Sequence, residues 1–322
     1  MLVSIVTPSF NQAAYLEATI QSVLAQDYPD LEYLVVDGGS TDGSVEIIHK
    51  YADQLSWWVS EPDKGQADAI NKGLRRARGD VVAWLNSDDI YFPGAIQAAV
   101  ASFQADLDLG MVFGDAITID QTGHPLNRLS FGDWNLPELM RFQIICQPAV
   151  FMRRAALKQV GYLDKNFHFM LDHHLWLRIA TRFKIKHAAE IWAAARHHPS
   201  AKNVAQSAAF ADETYRAVEW LKAAPEFSDQ LMADERRILG GANRLAGRYL
   251  LDGGLPGPAL IAYGKAVYYW PSYAFKHWGR MAFAILNLLG VGDLETWGRR
   301  QVPKLDVTCL ENWPGLNFED GS

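Results

Sequence analysis

Short apolar runs alternate with stretches of helical periodicity over the first two hundred residues of the chain. β-branched and aromatic residues dominate the runs, whereas apolar residues recur every three or four positions in the stretches between them. The runs predict strands at 2–7, 33–37, 57–60, 81–85 and 111–113, and the stretches predict helices at 15–25, 44–51, 66–78 and 95–103. This order is typical of an α/β fold in which a mainly parallel sheet lies between helices.

The pattern changes twice farther along the chain. Between 119 and 133, Gly, Pro, Asn and Asp interrupt it and predict a long loop, after which a helix is predicted at 137–142. Beyond about residue 200 the β-branched runs disappear, and Ala, Leu, Glu and Arg at helical spacing predict helices at 206–222, 229–251, 255–270 and 271–289. We therefore expect an α/β domain at 1–204 and a helical subdomain with a tail at 205–322.

Composition and charge narrow the class of protein. The 322 residues are 49% hydrophobic and 21% charged, which is typical of a folded globular chain. The formal net charge is -7, so the chain lacks the excess of basic residues that binding to nucleic-acid phosphates requires. We expect no nucleic-acid partner.

The cysteines and the apolar stretches indicate a compartment. Cys146 and Cys309 are the two cysteines, and their spacing suits neither a zinc site nor a paired motif, so free thiols in a reducing compartment are expected. The N-terminus has no cationic segment followed by a long apolar one. The longest apolar stretch, at 281–291, is shorter than the roughly 18–20 residues of a membrane span. The sequence thus predicts a cytoplasmic location and no signal peptide or transmembrane helix.

The residues that follow the predicted strands are unusually polar. They read TPSFN at 7–11, DGGSTDG at 37–43, EPDKG at 61–65 and NSDD at 86–89. Ligands of an open parallel sheet bind beyond the carboxyl ends of its strands, so these segments are candidates for a binding site. Neither GxGxxG nor a P-loop follows the first strand, which argues against a dinucleotide-dependent dehydrogenase and against an ATPase.

Asp88 and Asp89 are the most informative pair among these residues. Two adjacent carboxylates after the apolar run at 81–85 repel each other unless a cation or a hydrogen-bond network offsets their charge. Oxygen ligands of this kind suit Mg²⁺ or Mn²⁺, which also bind phosphate oxygens. An alternative is that one of the two carboxylates caps the helix that begins near Pro93.

Four ordered motifs resemble those of a known enzyme family. SIVTPSFNQ, LEYLVVDGGSTDGSVEII, SEPDKGQADAINKG and GDVVAWLNSDD look like the nucleotide-sugar-binding half of the inverting glycosyltransferases of family 2. With CQPAVFMRRAALKQVGYLD and MLDHHLWLRIA, the resemblance covers roughly residues 3–202. It implies the GT-A nucleotide-diphosphosugar transferase fold, a Rossmann-like sheet between helices, here followed by a C-terminal α-helical subdomain.

The resemblance also implies roles for individual residues. Asp88 stands at the metal position, and Asn86 stands where the family has the first Asp of its Asp-x-Asp motif. The segment RHHPSAK resembles an Arg-x-His segment that closes over the diphosphate, so His198 is a second candidate ligand of Mn²⁺ or Mg²⁺. Contacts with the nucleotide sugar are implied for Thr7, Pro8, Phe10, Asp37, Asp63, Lys64, Asn71, Asn86, Ser87, Gln147, Arg196 and Lys202.

Asp172 is the candidate catalytic base. In LDHHLWLRI it stands where such transferases carry their catalytic Asp, with Leu171 in place of the usual preceding Glu and His174 where a second acid is common. A carboxylate bound to a metal is a poor proton acceptor, so the base must be a different group from the metal ligand. The alternative is that Asp172 caps the helix that begins near His173.

The reaction that the resemblance implies is transfer of a sugar from a UDP-, GDP- or dTDP-sugar to a hydroxyl of a glycan, lipid-linked or other acceptor, with inversion and a divalent metal. Polysaccharide biosynthesis is the expected setting. Two other functions remain open: a nucleotidyltransferase, for which the N-terminus lacks a Gly-rich basic loop, and a non-catalytic module that binds nucleotide sugars or glycans. The presence of Asp88 and Asp172 argues against the second.

The C-terminal helices carry a cationic and aromatic segment. Between 261 and 304 there are six basic residues and two acidic ones, interleaved with tyrosines and tryptophans. Two interpretations remain open: peripheral contact with the inner face of the cell membrane, or packing within a helical subdomain or homodimer interface. The charged residues are Lys265, Lys276, Arg280, Arg299, Arg300, Lys304, Asp293 and Glu295.

Overall fold

A single mixed sheet organises the described part of the protein. The structure is a computed structural model that describes residues 1–291 and 313–316. Within these ranges nine strands pair in the order β3-β2-β1-β4-β8-β6-β9-β5, with β7 paired to β6 alone. The strands are β1 (Val3–Ser9), β2 (Leu31–Asp37), β3 (Trp57–Ser60), β4 (Val81–Trp84), β5 (Ile90–Tyr91), β6 (Leu109–Ile119), β7 (Pro125–Leu129), β8 (Val150–Arg153) and β9 (Lys184–Arg196).

The first half of the sheet is parallel. β1 lies between β2 and β4, with Val3 opposite Leu31 and Val81, and β2 pairs in parallel with β3. The carboxyl ends of these strands therefore meet at one edge. The second half is mixed: β8 is antiparallel to β4 and β6, β9 is parallel to β6, and β5 is antiparallel to β9.

Helices cover both faces of the sheet. The helices are α1 (Ala13–Leu24), α2 (Ser44–Lys50), α3 (Gln66–Arg76), α4 (Ala95–Ala105), α5 (Leu136–Met140), α6 (Arg154–Val160), α7 (Leu171–Ala180), α8 (Lys202–Ala205), α9 (Ser207–Ala223), α10 (Ser228–Asp252), α11 (Pro256–Tyr269), α12 (Pro271–Ala274) and α13 (Trp278–Leu288). Helices α1, α2 and α4 supply apolar side chains to one core, whereas α3, α5, α6 and α7 supply them to the other. The predicted α/β fold, with a sheet between helices and a helical C-terminal region, is confirmed.

Two local predictions are wrong, and a third is too short. The predicted loop at 119–133 contains strand β7, which pairs with β6. The strand predicted at 111–113 is observed, but it belongs to the 11-residue strand β6, which continues through the polar residues Asp115 and Thr118. The helix predicted at 271–289 is broken into α12, a 3-10 turn and α13. In each case pairing or packing with distant residues overrides the local pattern.

The C-terminal helices share a core with the sheet. Phe210 and Leu221 of α9 and Leu245 of α10 belong to the same apolar cluster as the residues beneath α3 and α7. α10 approaches the segment after α5 so closely that a Cβ on Gly241 would lie 1.9 Å from the carbonyl oxygen of Arg141. Within the described residues, no helix has both the length and the apolar character that crossing a membrane requires.

A short segment near the end of the sequence lies against β5. The indole N–H of Trp313 donates to the carbonyl of Tyr91 at 2.6 Å, and the Arg196 guanidinium donates to the carbonyl of Gly315 at 3.1 Å. Trp313 and Leu316 pack beside Ile90 and the surrounding apolar side chains. Cys309 lies outside the described residues.

Candidate functional site

Asp37, the last residue of β2, organises the loop that follows it. Its buried carboxylate accepts hydrogen bonds from the N–H groups of Gly39 and Ser40, at 3.0 and 2.9 Å. The hydroxyls of Ser40 and Ser60 donate to it at 2.5 and 2.7 Å. Gly39 has a φ of +85°, a conformation that glycine adopts without strain. Asp37 thus holds the loop at the carboxyl edge of the sheet.

Three loops converge beside Asp37. A Cβ on Gly38 would lie 2.6 Å from Asp63 Oδ2 and 3.2 Å from Phe10 Cδ2, so the absence of a side chain there allows the loops to approach. Phe10 is 60% exposed, which leaves its ring open to an incoming group. The exposed Lys64 follows Asp63 on the third loop. Phe10 and Asp63 therefore lie beside the same glycine, and Lys64 is the next residue along the chain.

The side chains of three other predicted residues are buried in the protein interior. Thr7 and Pro8 are buried within β1, and the Thr7 hydroxyl lies 3.0 Å from the hydroxyl of Tyr33. The amide of Asn71 exchanges two hydrogen bonds with the backbone of Leu163, at 2.8 and 3.0 Å. Their side chains support the walls of the site and do not border its open surface.

The segments NSDD and RHHPSAK meet at the carboxyl edge of the sheet. Asp88 Oδ2 lies 3.0 Å from His198 Nε2. Arg196, the last residue of β9, donates from Nε to the Asp88 carbonyl and from its backbone N–H to Asp89 Oδ1, both at 3.0 Å. The ring of Tyr15 packs against His198 with centroids 4.6 Å apart. Sequence reasoning missed Tyr15, because nothing in α1 marks it as a neighbour of residues far along the chain.

The donor set of Asp88 and His198 suits a divalent cation. One carboxylate and one imidazole are hard or borderline ligands of the kind that bind Mn²⁺ or Mg²⁺. Among the described residues, no cluster of three or more His, Cys, Asp or Glu side chains could hold a metal, so further ligands would come from phosphate oxygens and water. The alternative of helix capping is not observed: the N-cap of α4 is Gly94, without a side-chain cap.

Asn86 is the centre of a hydrogen-bond network below Asp88. Its Nδ2 donates to Asp89 Oδ2 at 3.2 Å and to Gln147 Oε1 at 3.0 Å. Gln147 in turn donates to the carbonyl of Trp84 at 2.8 Å. Burial, with the adjacent charge of Asp88, raises the pKa of Asp89 well above its ordinary value. The amide of Asn86 can donate a hydrogen bond to Asp89, which already lies next to the charge of Asp88. An ionised Asp at position 86 could not donate.

Gln66 extends this network to Lys202. Gln66 Nε2 donates to Asn86 Oδ1 at 2.9 Å, and the Lys202 ammonium donates to Gln66 Oε1 at 2.8 Å. The structure thereby brings Asn86, Gln147 and Lys202 together, as the sequence predicted, and Ser87 is buried beside them. Gln66 was missed, since a glutamine at the start of a helix is an ordinary surface residue by sequence.

Asp172 is the second residue of α7. Its Oδ1 accepts a hydrogen bond from the N–H of His173 at 2.7 Å, and the helix N-cap is Met170. Asp172 therefore lies inside the first turn and does not cap the helix. Burial raises the pKa of Asp172 to about 6. Burial raises the pKa of the Cys146 thiol, and the charges of Asp89 and Asp172 contribute to that rise.

His174 is a core residue in this structure. Its ring stacks on Phe167 with centroids 4.2 Å apart and packs against Trp220 at 4.3 Å. Burial lowers the pKa of His174 to about 3, so the imidazole is neutral at physiological pH. It does not supply an acid near Asp172.

Glu213 of α9 is a further buried acid near Asp172. Its carboxylate accepts hydrogen bonds from the N–H groups of three consecutive residues, His168, Phe169 and Met170. These residues lead directly into α7. Sequence reasoning missed Glu213, because it lies on a helix that matches no motif.

The far surface of the C-terminal helices is apolar and cationic. Trp278 and Ile285 are exposed on α13, and so is Leu289 directly after it. Lys265 on α11 and Lys276 just before α13 are also exposed. The Arg280 guanidinium instead pairs with Asp252 at 2.7 Å. The predicted charges at 293, 295, 299, 300 and 304 lie outside the described residues.

Sequence comparison finds one family and several relatives. The profile of glycosyl transferase family 2 matches residues 4–161. An uncharacterised glycosyltransferase of Rickettsia typhi is 30% identical over 186 residues, 55% of this chain and 58% of the relative. Chondroitin synthase of Escherichia coli is 30% identical, over 59% of this chain and 28% of the synthase. The chain thus spans only part of the length of the curated relatives it matches.

Two solved structures share the fold. The mannosyltransferase PcManGT of Pyrobaculum calidifontis, in complex with GDP-Man and Mn²⁺, is 22% identical with a TM-score of 0.57, over 90% of this chain and 86% of that chain. S. aureus TarS 1-349, in complex with UDP-GlcNAc, is 16% identical with a TM-score of 0.54, over 91% and 93%. At these identities the likeness concerns the fold alone.

Proposed function

Since the chain belongs to glycosyl transferase family 2, we propose that it transfers a sugar from a nucleotide-diphosphate sugar to an acceptor hydroxyl. The observation that carries the proposal is the pairing of Asp88 and His198, 3.0 Å apart at the carboxyl edge of the sheet. Asp172, at the start of α7, adds a carboxyl whose pKa burial raises to about 6. A carboxylate and an imidazole suit a metal-bound diphosphate, whereas a half-buried carboxyl of raised pKa suits proton transfer. The donor would be a UDP-, GDP- or dTDP-sugar, and the acceptor a glycan or lipid-linked molecule.

The donor would bind at the carboxyl edge of the sheet. Phe10 would stack on the base, and Asp63 and Lys64 would border the nucleotide. Asp88 and His198 would hold Mn²⁺ or Mg²⁺, which when bound offsets charge on the departing diphosphate. Lys202, held by Gln66, would add a positive charge on the same side. The complexes of the two structural neighbours with GDP-Man and UDP-GlcNAc support a nucleotide-sugar donor.

Asp172 would act as the base. The acceptor oxygen attacks the anomeric carbon as the bond to the diphosphate oxygen breaks, and the hydroxyl proton passes to the Asp172 carboxylate. A single displacement of this kind inverts the anomeric configuration. The His173 N–H holds one carboxylate oxygen, which leaves the other for the proton.

A binding and turnover screen tests this function. Thermal unfolding is measured with UDP, GDP or dTDP, each with and without Mn²⁺. A ligand at one hundred times its Kd stabilises by about 2.7 kcal/mol, which is readily measured. We expect one nucleotide to stabilise the protein, Mn²⁺ to enhance the shift, and Asp88→Asn to abolish the enhancement. The exposed variant Asp53→Asn is the matched control.

Product analysis decides between transfer and binding alone. The sugar form of the stabilising nucleotide is incubated with candidate acceptors, and mass spectrometry detects products. Stabilisation without transfer or donor hydrolysis would favour the non-catalytic module, and release of pyrophosphate would favour a nucleotidyltransferase. No shift with any nucleotide would contradict the proposal.

The surface of α11 to α13 is proposed to contact anionic lipid at the inner face of the cell membrane. Exposed aromatic and aliphatic side chains beside Lys265 and Lys276 suit the boundary between headgroups and acyl chains. A homodimer through the same surface is the alternative. A lipid-linked acceptor would be presented at such a boundary.

A further inference from the structure

We propose that Glu213 is a positioning residue for Asp172, acting through the backbone that leads into α7. The inference rests on the proposed function, in which Asp172 is the base. Glu213 lies on α9, more than forty positions along the chain, in the helical part that the family profile does not cover. The C-terminal helices would therefore take part in forming the reaction site.

The contacts of Glu213 are directed at one short segment. Oε1 accepts from the N–H of His168 at 2.6 Å, and Oε2 accepts from the N–H groups of Phe169 and Met170, each at 2.7 Å. The Glu213 side chain is only 6% exposed. Hydrogen bonds from N–H groups to an ionised carboxylate are about twice as strong as neutral ones, so three of them hold the segment firmly.

Glu213 holds the backbone that enters α7. The N-cap residue Met170 makes no side-chain cap of its own. The carboxylate of Glu213 accepts from the N–H groups of Met170 and of the two residues before it, next to the positive end of the α7 dipole. Because Asp172 is two residues beyond Met170, fixing the backbone at 168–170 fixes the position of the base.

The charge of Glu213 also acts on Asp172. After burial, which is the main cause, Glu213 contributes to the raised pKa of Asp172. Asp172 in turn contributes to the raised pKa values of Cys146 and Tyr249, for which burial is the main cause. The adjacent His173 has a buried imidazole, whose pKa burial lowers to about 4.

Two basic groups moderate the charge of Glu213. Arg216 lies 3.4 Å from Oε1, and Lys202 is close enough for the two charges to interact. The ammonium of Lys202 is the one that Gln66 holds on the proposed diphosphate side. Glu213 consequently interacts electrostatically with both the proposed base and a proposed diphosphate contact.

Amide hydrogen exchange of the full-length protein tests the positioning directly. In Glu213→Ala, exchange at 168–170 should accelerate at least about tenfold, because the acceptors of these N–H groups are lost. In Glu213→Gln, which keeps one accepting oxygen and the side-chain shape, the acceleration should be smaller. Glu219→Gln removes the same charge from an exposed position on α9 and should change nothing. Unchanged exchange at 168–170 in Glu213→Gln overturns the proposal, even where Glu213→Ala does not fold.

Titration of Asp172 provides a second readout. With carboxyl-¹³C aspartate, the Asp172 resonance is identified by its loss in Asp172→Asn, and its pKa should fall in Glu213→Gln but not in Glu219→Gln. If the wild type transfers sugar, the acid limb of kcat should move in the same direction, and kcat should fall about tenfold with donor KM within about twofold. An unmoved resonance overturns the electrostatic part. Absence of transfer in the wild type would sink the proposed function alone, since exchange and titration are measured without turnover.

Discussion

The surroundings of Asp172 disfavour its ionised form. This makes the carboxylate a stronger base but lowers the stability of the folded protein. The Asp172 carboxylate accepts a hydrogen bond from the His173 N–H, and burial raises its pKa to about 6. A fully solvated aspartate would be a weaker base. The same environment would make the ionised residue a net cost to the folded state at neutral pH.

Asp172→Asn should therefore abolish transfer and stabilise the protein. The amide keeps the acceptor for the His173 N–H and removes the buried charge, so unfolding at pH 7 should cost about 2 kcal/mol more. Turnover with the donor and the urea midpoint are the measurements. Asp229→Asn, at the second position of the exposed start of α10, is the matched control and should leave both nearly unchanged. Near-normal transfer by Asp172→Asn would remove Asp172 from the role of base.

The pH dependence of transfer follows from the same carboxyl. A base must be deprotonated, and the pKa of Asp172 is raised to about 6, so kcat should rise with pH through about 6 and level off above it. An aspartate of ordinary pKa would give a limb near pH 4. The pH profile of kcat at saturating donor is the measurement, and a flat profile between pH 5 and about 7 would contradict the assignment.

Asn86→Asp tests the network beneath the metal position. An ionised Asp cannot donate to Asp89 or Gln147, and it would add a third carboxylate beside Asp88 and Asp89. We expect a loss of about 1 to 3 kcal/mol in urea unfolding at pH 8 without divalent cations. Asn127→Asp, on the exposed strand β7, should cost little. Equal stability of the Asn86 variant and the wild type would show that the amide donors are dispensable.

Residues within motifs could be grouped from the sequence, whereas those that approach from other elements could not. Asp88 and His198 were predicted as ligands of one metal, which stays a prediction, and their side chains lie 3.0 Å apart. Tyr15, Gln66 and Glu213 were not predicted, because a ring, an amide and a carboxylate on ordinary helices carry no local signal of a distant partner. Their roles depend on the tertiary fold.

Elements were predictable where periodicity and burial agree. β1 to β4 and α1 to α4 were predicted within a few residues, since each strand is apolar and each helix has one buried face. β7 was missed because this exposed strand lacks the alternation of buried residues. β9 was not predicted either, because the residues of its first half are exposed or half-buried and show no apolar run. Its pairing with β6 defines it as a strand.

Two glycine-to-alanine substitutions in the C-terminal helices should change stability in opposite directions, because the helices are closely packed at only one of the two positions. Gly241→Ala places a methyl group against the backbone carbonyl of Arg141, which has little freedom to move, and should destabilise by about 2 kcal/mol or more. Gly264→Ala, within α11, has no atom within 4 Å of the new Cβ and should stabilise by about 0.5 to 1 kcal/mol. Thermal or urea unfolding of both variants measures the contrast. Similar shifts in the two variants would contradict the packing at Gly241.

On the scale of the whole molecule, the proposed division at 204 and 205 separates two kinds of secondary structure within one core. The last described strand ends at Arg196, and helices follow. Phe210, Leu221 and Leu245 nevertheless complete the cluster beneath α7. The sequence predicted the change in composition, but it could not indicate that the two parts bury each other.

The proposed lipid contact predicts a dependence on membrane charge. The protein should sediment with phosphatidylcholine vesicles that contain phosphatidylglycerol, less with pure phosphatidylcholine, and less at high salt. Trp278→Ser combined with Ile285→Ser should abolish sedimentation, whereas Met232→Ser, 78% exposed on α10, should not. No sedimentation of the wild type would exclude the contact. Dimers in ultracentrifugation that the double variant dissociates would favour the homodimer.

The strands at the edges of the sheet determine how readily another chain can add a strand to it at high protein concentration. β3 and β5, at the two ends of the strand order, have four and two residues, and Trp313 donates to the backbone of β5. β7 begins with Pro125 and carries Arg128 on its exposed part. Short, covered or charged edges resist strand addition by another chain. Concentrated solutions should consequently be protected from amyloid-like growth, and self-association should proceed through helices.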